Sequence, residues 1–157
     1  MILIAYDGSA DSQTAIDRAA QLMPNEEATI LVVWERFIDV VTRSGGVPVG
    51  EVDYESLDRS YEDEARKRAE EGVERARKAG LKAEAFIRVR AQTVAATILT
   101  EAEGMGVDAI VLGTRGLTGL KSLLLGSVSH GVVQHAHVPV MIVPSPETAS
   151  ERAARRN

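Results

Sequence analysis

The sequence predicts an α/β domain: a parallel sheet with helices covering both faces. Three observations predict it. Short apolar, β-branched runs alternate along the chain with segments of helical periodicity. Several of those runs are almost continuously apolar, as strands covered on both faces must be. Parallel neighbours also need a long crossover, and the helical segments supply one each time. The 157 residues, 45% hydrophobic and 26% charged, fit a single domain with a sizeable core.

The first strand is "MILIAY", residues 1–6, ending at "DGS". A helix follows from Ser9 or Ser12 as N-cap, with Ala15, Ile16, Ala19, Ala20 and Met23 at helical spacing, and Pro24-Asn25 breaks it. "ATILVVW", 28–34, is the second strand, and Glu35 to Asp53, containing "RSGGVPVG", reads as a mobile loop. Leu57, Tyr61, Ala65, Ala69, Val73, Ala76 and Gly80 mark the inner stripe of a long helix with a charged, solvated outer face. "LKAEAFIRV", 81–89, is a third, less buried strand, and a helix with Val94, Ala95, Ile98, Leu99, Ala102 and Met105 follows it. "DAIVLG" is the fourth strand, Ser127 to about Ala136 the last helix and "VPVMIV" the fifth strand. The domain is expected to span 1–144, with 145–157 as a frayed, flexible tail.

Composition excludes several functions. The absence of cysteine removes disulfides and thiolate chemistry. A net charge of −5 and 4% aromatics argue against nucleic-acid partners. No apolar run approaches the roughly 18 residues of a membrane span, and no basic leader precedes "MILIAY", so the expected location is the cytoplasm.

In an open parallel sheet, ligands sit beyond the carboxyl ends of the strands where the strand order reverses. "DGS" and "GTRG" both lie at such ends and meet if the first and fourth strands are neighbours. Four glycines, at 113, 116, 119 and 126, crowd the stretch after the fourth strand. Glycine lets backbone approach a ligand closely. A Walker loop is excluded because Leu120 separates Gly119 from Lys121, and the G-x-G-x-x-G fingerprint is absent. "SGG" at 44–46 is a flexible loop.

The spacing Gly113-x2-Gly116-x9-Gly126-Ser127 resembles the nucleotide-binding signature of the ATP-binding branch of the universal stress protein family. "IAYDGS", "ILVVW", "GVDAIVLGTRG" and "LLLGSVSHGVVQHAHVPVMIV" extend the likeness over nearly the whole chain. The resemblance implies a Rossmann-like five-stranded sheet in the order 3-2-1-4-5. It also implies an ATP site, and a homodimer paired through the fifth strand, Val138 to Val143. In that site Gly113 and Gly116 lie against sugar and phosphates, while Gly126, Ser127 and Val128 open a helix whose N–H groups attract anionic oxygens. The hydroxyls of Ser127 and Ser129 either bond phosphate or cap the helix. Asp7 approaches the ribose or a phosphate-bound metal such as Mg²⁺; otherwise it is an N-cap or Asx-turn residue of "DGS". Val33 matches the position whose backbone reads the adenine edge.

Arg90 stands where the family has a glycine, and it either clashes or pairs near the rim. Arg115 and Lys121 are phosphate contacts or solvated loop residues. His130, His135 and His137 lack metal-ligand spacing and read as structural. The resulting expectation is a nucleotide-responsive regulator of the stress response, with a slow ATPase or nucleotidyl-transfer enzyme as the alternative.

Overall fold

The computed structural model describes residues 1–46, 52–117 and 125–155. Five parallel strands form one sheet: β1 (Ile2–Ala5), β2 (Glu27–Trp34), β3 (Lys82–Val89), β4 (Ala109–Gly113) and β5 (Val140–Val143). Their order is β3-β2-β1-β4-β5, the order implied by the resemblance. Ile2 of β1 stands in register with Ala28 of β2 on one side and Ala109 of β4 on the other. The direction of growth therefore reverses around β1, and a crevice opens between the carboxyl ends of β1 and β4.

Strand alternation sorts the core into two layers. Ile2, Ile4, Ile30, Val32 and Val111 pack on one face against α1 (Ala10–Leu22) and α3 (Tyr54–Lys78). Leu3, Leu31, Ile110 and Leu112 pack on the other, against α4 (Val94–Met105) and α5 (Ser127–His135). Small residues let α3 lie close. Ala65, Ala69 and Ala76 are buried, and a Cβ on Gly72 would stand 2.8 Å from a methyl of Ile30. An ion pair also ties α1 to α3, with Arg75 donating to both carboxylate oxygens of Asp17 at 2.9 and 2.6 Å.

Two segments differ from expectation. The loop foreseen between Glu35 and Asp53 contains a short helix, α2 (Phe37–Arg43). No side chain caps it; instead the Phe37 N–H donates to Asp58 of α3 at 2.8 Å. The Phe37 ring packs on Tyr54 and Tyr61, each with centroids 6.2 Å away. Tertiary contacts hold this helix, which is why local pattern does not announce it.

The expected frayed tail is a helix as well, α6 (Pro146–Arg155). Ser145 caps it by accepting the Thr148 N–H at 3.2 Å. Pro146 occupies the first helical position, where its missing N–H costs nothing, and Arg152 and Arg155 lie in the last turn. No described helix is long and apolar enough to cross a membrane.

Candidate functional site

The chain leaves β1 through a sharp turn. Gly8 has φ +83°, a left-handed conformation that favours glycine, and the Asp7 carboxylate accepts the Ser9 N–H at 3.0 Å, an Asx-turn. Ser9 caps α1 by accepting the Ser12 N–H at 3.2 Å, so Asp7 is not the cap. The other oxygen of Asp7 reaches across the crevice and accepts the Leu117 N–H at 3.1 Å. The two loops expected to meet do meet.

A cavity of ≈ 400 Å³ opens there, within the usual range for small-molecule sites, about 300–1,000 Å³. Asp7, Val33, Gly113, Gly116, Ser127, Val128 and Ser129 all line it, together with Arg115. Gly126 is the N-cap of α5 and has no side chain to offer, so Ser127 is the first helical residue rather than a cap. Ser127 is exposed. Ser129 is buried, and its hydroxyl donates to the carbonyls of Gly113 and Thr114 at 2.8 and 3.1 Å. That hydroxyl fastens α5 to the end of β4, and it is not the cap of the helix, which is Gly126.

The glycines also have neighbours inside the chain. A Cβ on Gly113 would stand 2.8 Å from the Asp11 backbone, and one on Gly116 would stand 2.6 Å from the Asp7 carboxylate. At Gly126 it would lie 3.1 Å from the Thr114 carbonyl oxygen. Each of these three glycines thus also stands close to a group of the protein itself. Gly119 and Lys121 lie outside the described residues.

Val33 is half-buried, and its side chain belongs to the layer packed against α4. Leu31 accepts the Tyr6 N–H through its carbonyl at 2.9 Å, so its polar backbone faces β1. Backbone direction alternates along a strand, so Val33, two residues on, faces the same side. There β1 has already ended, since its last paired residue is Ala5, opposite Leu31. The Val33 backbone edge thus lies beyond the last β1–β2 pair, and Val33 lines the cavity.

Arg90 is pinned after β3. It pairs with Glu35 at 3.0 Å and donates to the Gln92 carbonyl at 3.0 and 3.2 Å, so it pairs rather than clashes. Arg115 is bound to Glu151 of α6 at 2.8 Å. Among the described residues no cluster of three His, Asp or Glu is placed to hold a metal, the three histidines included.

Asp11 escaped the sequence reading. It is buried at the start of α1; one oxygen accepts the Arg115 N–H at 3.0 Å, and the other accepts the Ser145 N–H and Thr148 hydroxyl at 3.0 and 2.9 Å. Burial pushes its pKa up, but the hydrogen bonds from Ser145, Thr148 and Arg115 outweigh burial and hold the carboxyl below its ordinary range.

Residues 1–144 match the model of the Universal stress protein family. The chain belongs to the universal stress protein family. It is 37% identical over 145 residues to Universal stress protein YxiE of Bacillus subtilis, covering 90% of this chain and 97% of that one. Among solved structures it resembles hypothetical protein MJ0577, with a TM-score of 0.73, 28% identity, and 91% and 94% of the two chains covered. A universal stress protein family protein from Arabidopsis thaliana, solved with AMP bound, shares the fold at a TM-score of 0.62 and 17% identity, over 91% of this chain and 90% of that one. Gly113, Gly116 and Ser127, the described residues of the glycine-rich spacing that line the cavity, stand at the β1–β4 crevice.

Proposed function

We propose that this protein binds ATP in the β1–β4 crevice and acts as a nucleotide-responsive regulator of the stress response in the cytoplasm. One observation carries the reading: the amino end of α5 and the backbone edge of Val33, which no strand pairs among the described residues on its β1 side, border one cavity. The first N–H groups of a helix have no intrahelical acceptor, and the helix dipole favours anions there. Ser127, Val128 and Ser129 therefore suit a phosphate chain through their backbone, with the exposed Ser127 hydroxyl added. A strand edge offering one N–H and one C=O suits the paired donor and acceptor of adenine. Gly113 and Gly116 in the cavity wall add no side chain, and Gly126 opens α5 without one. AMP bound to the Arabidopsis relative supports an adenine nucleotide as the class.

Asp7 is the single carboxylate lining the cavity among the described residues, so a divalent cation such as Mg²⁺ arriving with the phosphates would meet it. Both its oxygens already accept backbone N–H groups, which hold the side chain in place. Turnover of ATP needs a positioned base or water-orienting group, and we assign none. Binding, not hydrolysis, is the activity proposed.

The β5 edge completes the proposal. β5 ends the sheet, and the segment from Val138 to Val143 is apolar throughout. Apolar edges pair readily with other chains, and two-fold pairing of β5 with a second copy covers this one. The proposed assembly is a homodimer.

Identifying the small molecule released when purified protein is heat-denatured tests the proposal. Stoichiometric adenine nucleotide is expected. Release of a different ligand class would overturn it.

A further inference from the structure

The family match ends at residue 144, yet the chain continues into a docked helix, Pro146–Arg155. That helix reaches Arg115 at the wall of the cavity in two ways. The Asp11 carboxylate is shared: one oxygen holds the backbone of Arg115, and the other holds Ser145 and Thr148 at the start of α6. One turn further along, Glu151 accepts from the Arg115 guanidinium at 2.8 Å. The Arg115 side chain is only 10% exposed and that of Glu151 27%, so the pair is largely shielded from water. Arg115 lines two cavities at once, the ≈ 400 Å³ crevice and a neighbouring cleft of ≈ 250 Å³ walled by α6.

We propose that α6 competes in cis with the nucleotide for Arg115: Glu151 holds a guanidinium that the phosphates of a bound nucleotide would otherwise take. This deepens the adenine-nucleotide reading and rests on it. A guanidinium fork donates to carboxylate and phosphate oxygens alike, and a shielded site amplifies the exchange of one for the other. A polyphosphate carries more charge than one carboxylate, so it draws Arg115 away, whereas adenosine has nothing to offer it. Docking of α6 therefore sets how strongly the crevice favours nucleotides with more phosphates. Coupling between two binding events is reciprocal, so ATP loosens α6 to the degree that α6 weakens ATP. The helix beyond the family domain becomes a reporter of occupancy, displayed at the surface for other proteins.

The test titrates the full chain with ATP and with adenosine by calorimetry, as wild type, Glu151→Gln, Arg115→Gln and the double variant. Glu151→Gln preserves shape and removes the charge. It is expected to raise ATP affinity about threefold to tenfold, the scale of a partly shielded ion pair, and to leave adenosine unchanged. The gain is expected to vanish in the Arg115→Gln background. Hydrogen exchange across 146–155 is expected to quicken with ATP and not with adenosine. An unchanged ATP-to-adenosine ratio in Glu151→Gln overturns the competition while leaving the nucleotide site standing, as does a gain that persists without Arg115. Failure of every form to bind either ligand overturns both readings together.

Discussion

A Cβ placed on Gly116 would stand 2.6 Å from the Asp7 oxygen that accepts the Leu117 N–H. The carboxylate is held from two sides by backbone donors, so it has little room to withdraw. Gly116→Ala is therefore expected to destabilise the fold by about 1–3 kcal/mol, the range for an overpacked contact. In an Asp7→Ala background the penalty is expected to fall sharply. Urea denaturation of the four proteins of this cycle measures the coupling. Equal costs of Gly116→Ala in both backgrounds would contradict the contact.

Asp11 predicts a pH dependence. Its folded-state pKa is depressed, so its contribution to stability is present above the unfolded value of about 3.9 and is lost as pH falls through the folded value. Asp11→Asn cannot accept on both sides of its carboxyl group. Near neutral pH the variant is expected to be about 2 kcal/mol less stable than wild type, because the Ser145 or Arg115 N–H loses its acceptor. Below about pH 4 that gap is expected to narrow. A gap that stays constant from pH 7 to pH 3 would show that the charge plays no part.

Dimerisation through β5 predicts a single-residue effect. Val140 is half-buried on the last strand of the sheet. Sedimentation at micromolar concentration is expected to show a dimer, and Val140→Lys a folded monomer. A wild-type monomer would refute the pairing.

Turnover is expected to be slow. Multiple-turnover hydrolysis is expected below about 1 s⁻¹, the low end for ordinary enzymes. Faster hydrolysis that disappears in Asp7→Ala would assign the protein to the enzymes instead.

The sheet was legible because strands and helices buried in parallel layers carry their pattern locally: "ILIA", "TILVVW" and "AIVLG" are apolar whatever surrounds them. The crevice was legible because glycine spacing and strand ends are both sequence properties. What the glycines touch was not, since the Asp7 and Asp11 contacts cross about a hundred residues of chain. The helix at 37–43 depends on aromatic rings of α3 and leaves no local sign. The last helix did leave one: Ser145-Pro146-Glu147 is an N-cap, a first-position proline and an acid in the first turn. Its charged, alanine-rich continuation lacks an apolar stripe, so the sequence reading took it for a tail. Asp11 was hidden for a related reason, as one acid among 23 whose buried partners, Arg115, Ser145 and Thr148, lie more than a hundred residues away.

The proposed adenine-nucleotide site is tested most directly at Ser127. An acid at the first position of a helix favours the helix itself, so Ser127→Asp is expected to fold with an unchanged or raised Tm. The same charge would stand where the phosphates are placed. Calorimetric titration with ATP is expected to show one site per chain in the wild type. Ser127→Ala is expected to weaken binding by about 1–3 kcal/mol through loss of one bond to a charged group. Ser127→Asp is expected to lose binding altogether. A folded Ser127→Asp that binds ATP as tightly as wild type would contradict the account.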